Sequence, residues 1–280
     1  MMKLSMLKLL TIAGLLTISA NGAPTNLEKK LFSYEKQRIN SNPAVQLKDL
    51  KLTFSKKLEN NWTGYLFSIS LVYQGKNVNT NDILFSNGSE VTGELKKLTG
   101  FDYKRLMHPT LGAEYYDKKR LIAGNINAKN KLVVFSDPLC PNCTSSMPEI
   151  IKDVQNNPKV FALYYFSFPL DMHPTAKTIA KASKLAELKG IKNVSYKLYT
   201  GNFDKFFDPY ELKDNQKALD AFNKVFKTSF TLNELNNTTI TNSLDEDMKL
   251  ADKAFVNGTP TLFLNGEIDV TRSTYKGKIK

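Results

Sequence analysis

The stretch FSDPLCPNCTSSMPEII, residues 135–151, contains both cysteines of this 280-residue chain. Cys140 and Cys143 are separated by Pro141 and Asn142. A disulfide between them would close too small a loop to restrain much chain entropy, so a structural staple explains the pair poorly. Redox chemistry and a metal site remain as interpretations.

The residues around the pair predict a strand followed by a helix. KLVVFSD, residues 131–137, is a continuous apolar run typical of a buried strand. We expect Pro148 to kink the helix that follows Cys143 without preventing it. A second buried strand, VFALYYFSF at 160–168, completes a β-α-β unit. The apolar positions with helical spacing after the pair are Met147, Ile150, Ile151 and Val154.

A thiol at the start of a helix is suited to redox chemistry. Free backbone N–H groups and the helix dipole stabilise a negative sulfur there, and the pKa of such a cysteine falls to between roughly 3.5 and 7.5. We therefore expect Cys140 to be the exposed nucleophile and Cys143 to resolve the mixed disulfide that Cys140 forms. Pro141 and Asn142 carry no charge, so we do not expect an extreme thiolate.

Neither histidine supports the metal interpretation. Zinc needs four ligands, and His108 and His173 do not have partners at ligand spacing. We predict no metal and no cofactor. His173 precedes a predicted helix, where a surface or capping role is expected, and Asp137 before Pro138 is typical of a turn. Both are left outside the predicted site.

The first residues of the chain predict export. Lys3 and Lys8 precede an apolar run, LLTIAGLLTISA at 9–20. This run has the length of a signal peptide and is too short to span a membrane. We assign residues 1–20 to a signal peptide. The formal net charge is +12, but no basic stripe or nucleic-acid-binding motif accompanies it, so we expect no nucleic-acid partner.

Residues 21–102 predict a small α+β domain. A short amphipathic helix is expected over 26–38, and the alternating run WTGYLFSISLVY at 62–73 predicts a strand. QGKN at 74–77 is typical of a hairpin turn. No residues of catalytic type form a pattern here.

The remainder of the chain predicts a connector and an α/β domain. Residues 103–130 are expected to be a partly helical linker, and residues 131–280 to form the second domain. Within it, residues 175–255 are mostly helical. The last clear strand, TLFLNG at 261–266, begins directly after Pro260.

Two motifs together resemble the thioredoxin superfamily: FSDPLCPNC at 135–143 and VNGTPTLFLNG at 256–266. More narrowly, they are similar to the periplasmic Dsb proteins of the DsbA, DsbC and DsbG types. FPLDMHPTA at 168–176 is similar to the stretch where DsbA-like domains enter their helical insertion. The resemblance covers about residues 131–266 and implies an α/β thioredoxin fold with a helical insertion at about 175–255.

The resemblance also implies roles for individual residues. Cys140 and Cys143 would form a redox-active disulfide. Thr259 and Pro260 would form the cis-proline loop that packs against this disulfide and binds an extended substrate. Residues 21–102 would be a cystatin-like domain that makes the protein a homodimer.

Three features depart from the family pattern. Leu139 replaces the Trp that precedes the first cysteine of a thioredoxin proper. Asn142 replaces the His or Tyr often found in Dsb dipeptides, so a strongly oxidising potential is not expected. Because few residues follow the last strand, we expect the closing helix to be missing or very short.

The sequence therefore predicts a periplasmic thiol:disulfide interchange protein, acting as isomerase or oxidoreductase on exported proteins that contain cysteines. A membrane redox partner, reducing or oxidising, is expected to restore its active state. Two alternatives stay open: a DsbA-type disulfide oxidase, and a redox-independent chaperone that uses the same fold.

Overall fold

The computed structural model describes residues 24–279, which divide into two compact units. The first unit ends at Met107 and the second begins at His108. The predicted signal peptide, residues 1–20, lies outside the described residues. Within residues 24–279, none of the helices has the length and apolar character needed to cross a membrane.

The first unit is an α+β domain. Helix α1 (Asn26–Asn40) begins with a capping box between Thr25 and Glu28. Strands β1 (Val45–Lys57), β2 (Thr63–Tyr73), β3 (Lys76–Ser86) and β4 (Val91–Thr92) form an antiparallel sheet in that order. The helix and the sheet share one core, formed by Leu31, Ile39, Tyr65, Phe67, Ile69 and Leu84.

A hairpin turn connects β2 and β3, as the sequence predicted, and its loop has two residues. Gln74 and Gly75 both have positive φ, 50° and 74°. This is the pattern of a type I′ turn, whose twist matches that of the paired strands. Tyr73 and Lys76 are the closing pair of the ladder.

The second unit contains a mixed five-stranded sheet. Its strands are β5 (Leu121–Gly124), β6 (Asn130–Ser136), β7 (Phe161–Ser167), β8 (Thr261–Leu264) and β9 (Glu267–Ile268), in the order β5-β7-β6-β8-β9. β6 and β7 are parallel and are connected by α2 (Pro141–Asn156), the predicted β-α-β unit. β8 is antiparallel to β6.

Helices fill the chain between β7 and β8, so the thioredoxin fold with a helical insertion is confirmed. They are α3 (Ala176–Leu188), α4 (Val194–Thr200), α5 (Asn215–Phe226), α6 (Leu232–Leu235) and α7 (Thr238–Lys253).

The sheet of the second unit is apolar on both faces and separates two cores. Val134 and Tyr165 belong to the core that contains residues of α2–α6. Val133 and Phe166 belong to the core on the other face, which contains residues of α7. Neighbouring residues of one strand therefore face different cores, as the two-residue period of a strand requires.

The predicted linker, residues 103–130, is not simply a connector. The boundary between the two units falls inside it, and its second half contains β5, which pairs with β7. Gly124 has φ 81°, and a Cβ there would lie 2.0 Å from the Phe161 carbonyl oxygen, so only glycine fits. The linker prediction is wrong for this half because its strand character comes from pairing with β7. Three 3₁₀ turns precede β5, at Tyr103–Leu106, Ala113–Tyr116 and Lys118–Arg120.

The chain after β9 forms one short 3₁₀ helix, Thr274–Lys278. Tyr275 in this helix is fully buried, and its hydroxyl donates to Asp153 of α2 at 2.7 Å. A very short closing helix agrees with the expectation from the sequence.

Candidate active site

The two thiols lie where β6 gives way to α2. Cys140 is the N-cap residue of α2, with extended backbone, and Pro141 occupies the first turn, where a missing N–H is harmless. The Cys140 carbonyl accepts from the backbone N–H of Cys143 (2.9 Å) and of Thr144 (3.0 Å). Both cysteines are free thiols.

The environments of the two sulfurs differ. Cys143 is 0% exposed, and Cys140 retains 5%, so Cys140 is more covered than the sequence predicted. Part of the cover is the Thr259–Pro260 loop, because Cys140 Sγ donates to the Thr259 carbonyl at 3.6 Å. The Thr259–Pro260 peptide bond is cis, the conformation expected from the sequence.

Electrostatics separate the thiols further. The pKa of Cys140 is lowered to about 5, and the largest cause is the hydrogen bond from Cys143. The Thr259 side chain and the backbone N–H groups of Cys143 and Asn142 lower this pKa further, whereas burial raises it. Burial raises the pKa of Cys143 well above its ordinary value. The pair can therefore supply one thiolate that attacks and one neutral thiol held in reserve.

The loop before Cys140 is held by a buried carboxylate. Asp137 is 0% exposed, and its two oxygens accept from the backbone N–H of Leu139 (2.7 Å) and of Leu170 (2.7 Å). Nδ1 of His173 lies 2.8 Å from Oδ2 of the same carboxylate. His173 is itself 2% exposed, so the expected surface or capping role is wrong, and Asp137 is more than a turn former.

Hydroxyl groups surround Cys143 on the inner side. The Ser136 and Thr259 side chains lie near its sulfur and moderate the rise of its pKa. Tyr199 of α4 donates to Ser136 Oγ at 2.7 Å, and Tyr165 Oη lies 2.9 Å from Tyr199 Oη. The sequence did not distinguish these tyrosines from ordinary core aromatics.

A cavity of about 370 Å³ lies beside the N-terminus of α2. Its lining includes Leu139 and Pro141 from the active-site segment and Phe203 and Tyr210 from the helical insertion. Aromatic and proline side chains around a cleft of this size suit an apolar peptide segment.

The four predicted site residues meet at one end of the sheet. Cys140 and Cys143 follow β6, and Thr259 and Pro260 precede its antiparallel neighbour β8. Of the histidines, His173 contacts Asp137, and His108 Nδ1 lies 2.9 Å from the Ala254 carbonyl oxygen. In the described part of the chain, no group of three or more His, Cys, Asp or Glu side chains is arranged to hold a metal ion.

Comparison with known proteins agrees with this geometry. A family model described as thioredoxin matches residues 117–278, more than half of the chain. The chain belongs to the thioredoxin family. Membership of the thioredoxin family, together with two free thiols at a helix N-terminus, makes it a thiol:disulfide oxidoreductase.

Solved structures with similar folds share about a fifth of their residues with this member of the thioredoxin family. A thioredoxin-like oxidoreductase from Silicibacter pomeroyi is 20% identical with a TM-score of 0.44, over 56% of this chain and 88% of that one. DsbA2 of Pseudomonas aeruginosa is 21% identical with a TM-score of 0.40, over 53% and 83%. ScsC of Proteus mirabilis in a compact conformation is 21% identical with a TM-score of 0.44, over 55% and 73%. A search of curated proteins found no match.

Proposed function

We propose that this protein is a thiol:disulfide interchange protein that acts on exported proteins through Cys140 and Cys143, as an isomerase or oxidoreductase. The observation that carries the proposal is the contrast between the two thiols. One pKa is lowered to about 5 and the other is raised by burial, while both sulfurs contact the Thr259–Pro260 loop.

The exchange proceeds in two balanced steps. The Cys140 thiolate attacks a substrate disulfide, forming a bond between Cys140 and one substrate sulfur and releasing the other sulfur as a thiolate. Cys143 then attacks Cys140 Sγ, which forms the Cys140–Cys143 disulfide and releases the second substrate thiol. The two electrons pass from the protein to the substrate. Oxidation of a substrate follows the same steps in reverse.

Isomerisation needs only the first step. The substrate thiolate that Cys140 releases attacks another disulfide of the same substrate, and a substrate thiolate finally displaces Cys140 unchanged. Thr259 and Pro260 are proposed to bind the substrate backbone next to the sulfur. The cavity lined by Leu139, Phe203 and Tyr210 is proposed to take apolar side chains of the same segment.

The partners follow from this chemistry and from the start of the chain. Lys3, Lys8 and the apolar run at 9–20 support export to the periplasm, where substrates are exported proteins with cysteines. Because each net reduction or oxidation of a substrate leaves the pair in the wrong redox state for the next round, we propose a membrane redox partner that restores it.

We also propose that the N-terminal domain, predicted as residues 21–102, makes the protein a homodimer. This unit is separate from the unit with the cysteines, and β1, with 13 residues, is an edge strand whose outer side pairs with no strand of residues 24–279. Such edges offer pairing surfaces. Register shifts interrupt β1 near Asp49 and Thr53, so we expect only part of the strand to pair. Light scattering on the mature chain and on residues 108–280 tests this. If both proteins are monomers, the homodimer proposal is wrong and the DsbA-type oxidase becomes the preferred function.

One observation favours the second candidate, a DsbA-type oxidase. A pKa of about 5 for Cys140 stabilises the reduced protein, and a stabilised reduced form makes a dithiol pair more oxidising. The uncharged Pro141 and Asn142 did not indicate this, because the largest effect on Cys140 comes from Cys143.

Refolding of ribonuclease separates the candidates. The purified protein is added in its reduced form to scrambled ribonuclease and in its oxidised form to reduced ribonuclease, and recovered ribonuclease activity is followed. An isomerase recovers activity from the scrambled protein, and its Cys143→Ser variant still does so. An oxidase acts on the reduced protein and loses this with Cys143→Ser. If Cys140→Ser leaves either activity unchanged, the redox proposal is wrong and a chaperone explains the result.

A further inference from the structure

The second step of the proposed exchange poses a problem of proton transfer. Cys143 is 0% exposed, and burial raises the pKa of its thiol. It must nevertheless lose its proton to attack Cys140 Sγ. In the mixed disulfide Cys140 is no longer a thiolate and does not accept that proton.

A line of hydroxyl groups begins at Cys143. Ser136, the last residue of β6, lies beside its sulfur and moderates the rise of its pKa. Tyr199 of α4 lies 2.7 Å from Ser136 Oγ, and Tyr165 of β7 lies 2.9 Å from Tyr199 Oη. All three side chains are buried. A hydroxyl both donates and accepts, so each can receive a proton on one side and release its own on the other.

The line ends at a polar cavity of about 100 Å³, lined by Tyr165, Ser167 and Asp247. This volume holds several water molecules. Ser167 Oγ is buried without a hydrogen-bond partner in the described residues, which suits a hydrated cavity. The exposed Lys119 and Glu187 also belong to the lining, so the cavity opens towards solvent.

Charged side chains surround this cavity, and hydrogen bonds hold several of them in place. The buried Asp247 carboxylate accepts from Arg120 Nε (2.9 Å), Lys184 Nζ (2.6 Å) and the Ser167 backbone N–H (3.1 Å). The charged side chains that line the cavity are thus Lys119, Arg120, Lys184, Glu187 and Asp247. Such a site attracts and orders water, which then takes up a proton released by Tyr165.

We propose that Ser136, Tyr199 and Tyr165 form a proton relay that carries the Cys143 proton to the cavity beside Asp247. The proposal rests on the two-step exchange described above. As Cys143 Sγ bonds to Cys140 Sγ, the bond from Cys140 to the substrate sulfur breaks, and its electron pair leaves with the substrate.

The proton moves by exchange along the relay. In the resting protein Tyr199 donates to Ser136, so the hydroxyls first rotate until Tyr199 donates to Tyr165 and Tyr165 donates to cavity water. Ser136 then takes the Cys143 proton and passes its own to Tyr199, Tyr199 passes its own to Tyr165, and Tyr165 releases one to cavity water. Burial raises the pKa of both tyrosines, so neither ionises in the resting protein. Thr259 also contacts Cys143, but its hydroxyl is not linked to the line of tyrosines by any described hydrogen bond.

The test uses the reduced full-length mature protein and 5,5′-dithiobis(2-nitrobenzoate). Attack by Cys140 releases one coloured thiolate at a rate that depends on reagent concentration. Resolution by Cys143 releases a second at a rate that does not. The two phases therefore report the two steps in one trace.

The variant Tyr199→Phe removes one hydroxyl and keeps the ring. We expect an unchanged first phase and a second phase slowed about 100-fold at neutral pH, the lower end of what a positioned proton acceptor contributes. The slowed phase should accelerate in proportion to hydroxide concentration, because Cys143 then loses its proton to hydroxide. Tyr165→Phe should behave in the same way.

Tyr164→Phe is the matched control. Tyr164 neighbours Tyr165 on β7, but it belongs to the other core, and its buried hydroxyl has no partner in the described residues. It should match the unaltered protein in both phases. Circular dichroism verifies folding, and if Tyr199→Phe does not fold, Tyr165→Phe decides.

Other outcomes overturn the relay. Unchanged second phases and pH profiles in the phenylalanine variants would exclude it, and equal slowing of both phases would indicate a structural effect only. If the unaltered protein releases a single equivalent, the proposed two-step exchange itself is wrong and the relay with it, a result distinct from the others.

Discussion

Nδ1 of His173 and Oδ2 of Asp137 lie 2.8 Å apart, although 36 residues separate them in the sequence. Both side chains are buried. The Asp137 carboxylate joins the loop before Cys140 to the chain that enters the helical insertion, because it also accepts from Leu139 and Leu170.

We expect Asp137→Ala to lower the free energy of unfolding by about 3 kcal/mol, because removal of one partner leaves buried donors uncompensated. Asp171→Ala is the control. Its side chain is 98% exposed, so the change should stay within about 0.5 kcal/mol. Urea unfolding of both variants checks this, and equal effects of the two would contradict the role given to Asp137.

The thiolate of Cys140 should form with a midpoint near pH 5, because the hydrogen bond from Cys143 leads the effects that lower its pKa to about 5. Cys143→Ala removes that bond and should raise the pKa towards the ordinary value of about 8.5. Ultraviolet absorbance of the thiolate, followed against pH, measures both. A titration midpoint near pH 8.5 for the unaltered protein would contradict the prediction.

The lowered pKa of Cys140 also makes stability depend on pH. Its pKa is about 5 in the folded protein and about 8.5 in the unfolded chain, so the unfolded chain binds more protons between these values. The reduced protein should therefore gain stability relative to Cys140→Ala as pH rises through this window, and lose it as pH falls towards 5. Urea midpoints measured across the window test this, and a constant difference would contradict it.

Thr259→Val should raise the pKa of Cys140 by less than Cys143→Ala does, because the Thr259 hydroxyl ranks below the Cys143 bond among the lowering effects. Valine keeps the shape of the side chain and removes only the hydroxyl. Thr144→Val is the control, since that hydroxyl donates to the Pro141 carbonyl at 2.9 Å instead. The same ultraviolet titration decides, and equal midpoints for Thr259→Val and Thr144→Val would count against Thr259.

The sequence predicted β6, the thiol pair after it and α2. These features could be predicted because the spacing of apolar residues within a strand or helix is visible in neighbouring residues. The end of β8 beside the pair followed from the resemblance of residues 256–266 to a known loop. Strand β5 was missed since LIAG is too short to show a period, and only its pairing with β7 makes it a strand.

The buried polar residues were missed for another reason. His173 precedes a proline in a stretch whose composition is typical of the protein surface, and its partner Asp137 is distant in sequence. One signal was present, because Asp137 directly follows an apolar run that is typical of a buried strand. Burial of an unpaired carboxylate at such a position has a high cost in free energy, so a partner is expected. Tyr165 and Tyr199 offered no such signal, because a tyrosine in a core pattern looks the same whether or not its hydroxyl is bonded.

The ladder between β6 and β8 has a consequence for redesign. Phe135 pairs with Thr261 and Val134 with Leu262, so the spacing between the thiols and Pro260 is set by strand register. The helices between β7 and β8 do not set it. Apart from Lys184, Tyr199 and Asp247, which belong to the proposed relay and its exit, the constraint on this segment is its packing, so the loops between its helices can accept insertions or grafted residues while the chemistry stays in place. Client choice and catalytic power can thus be altered independently in one chain.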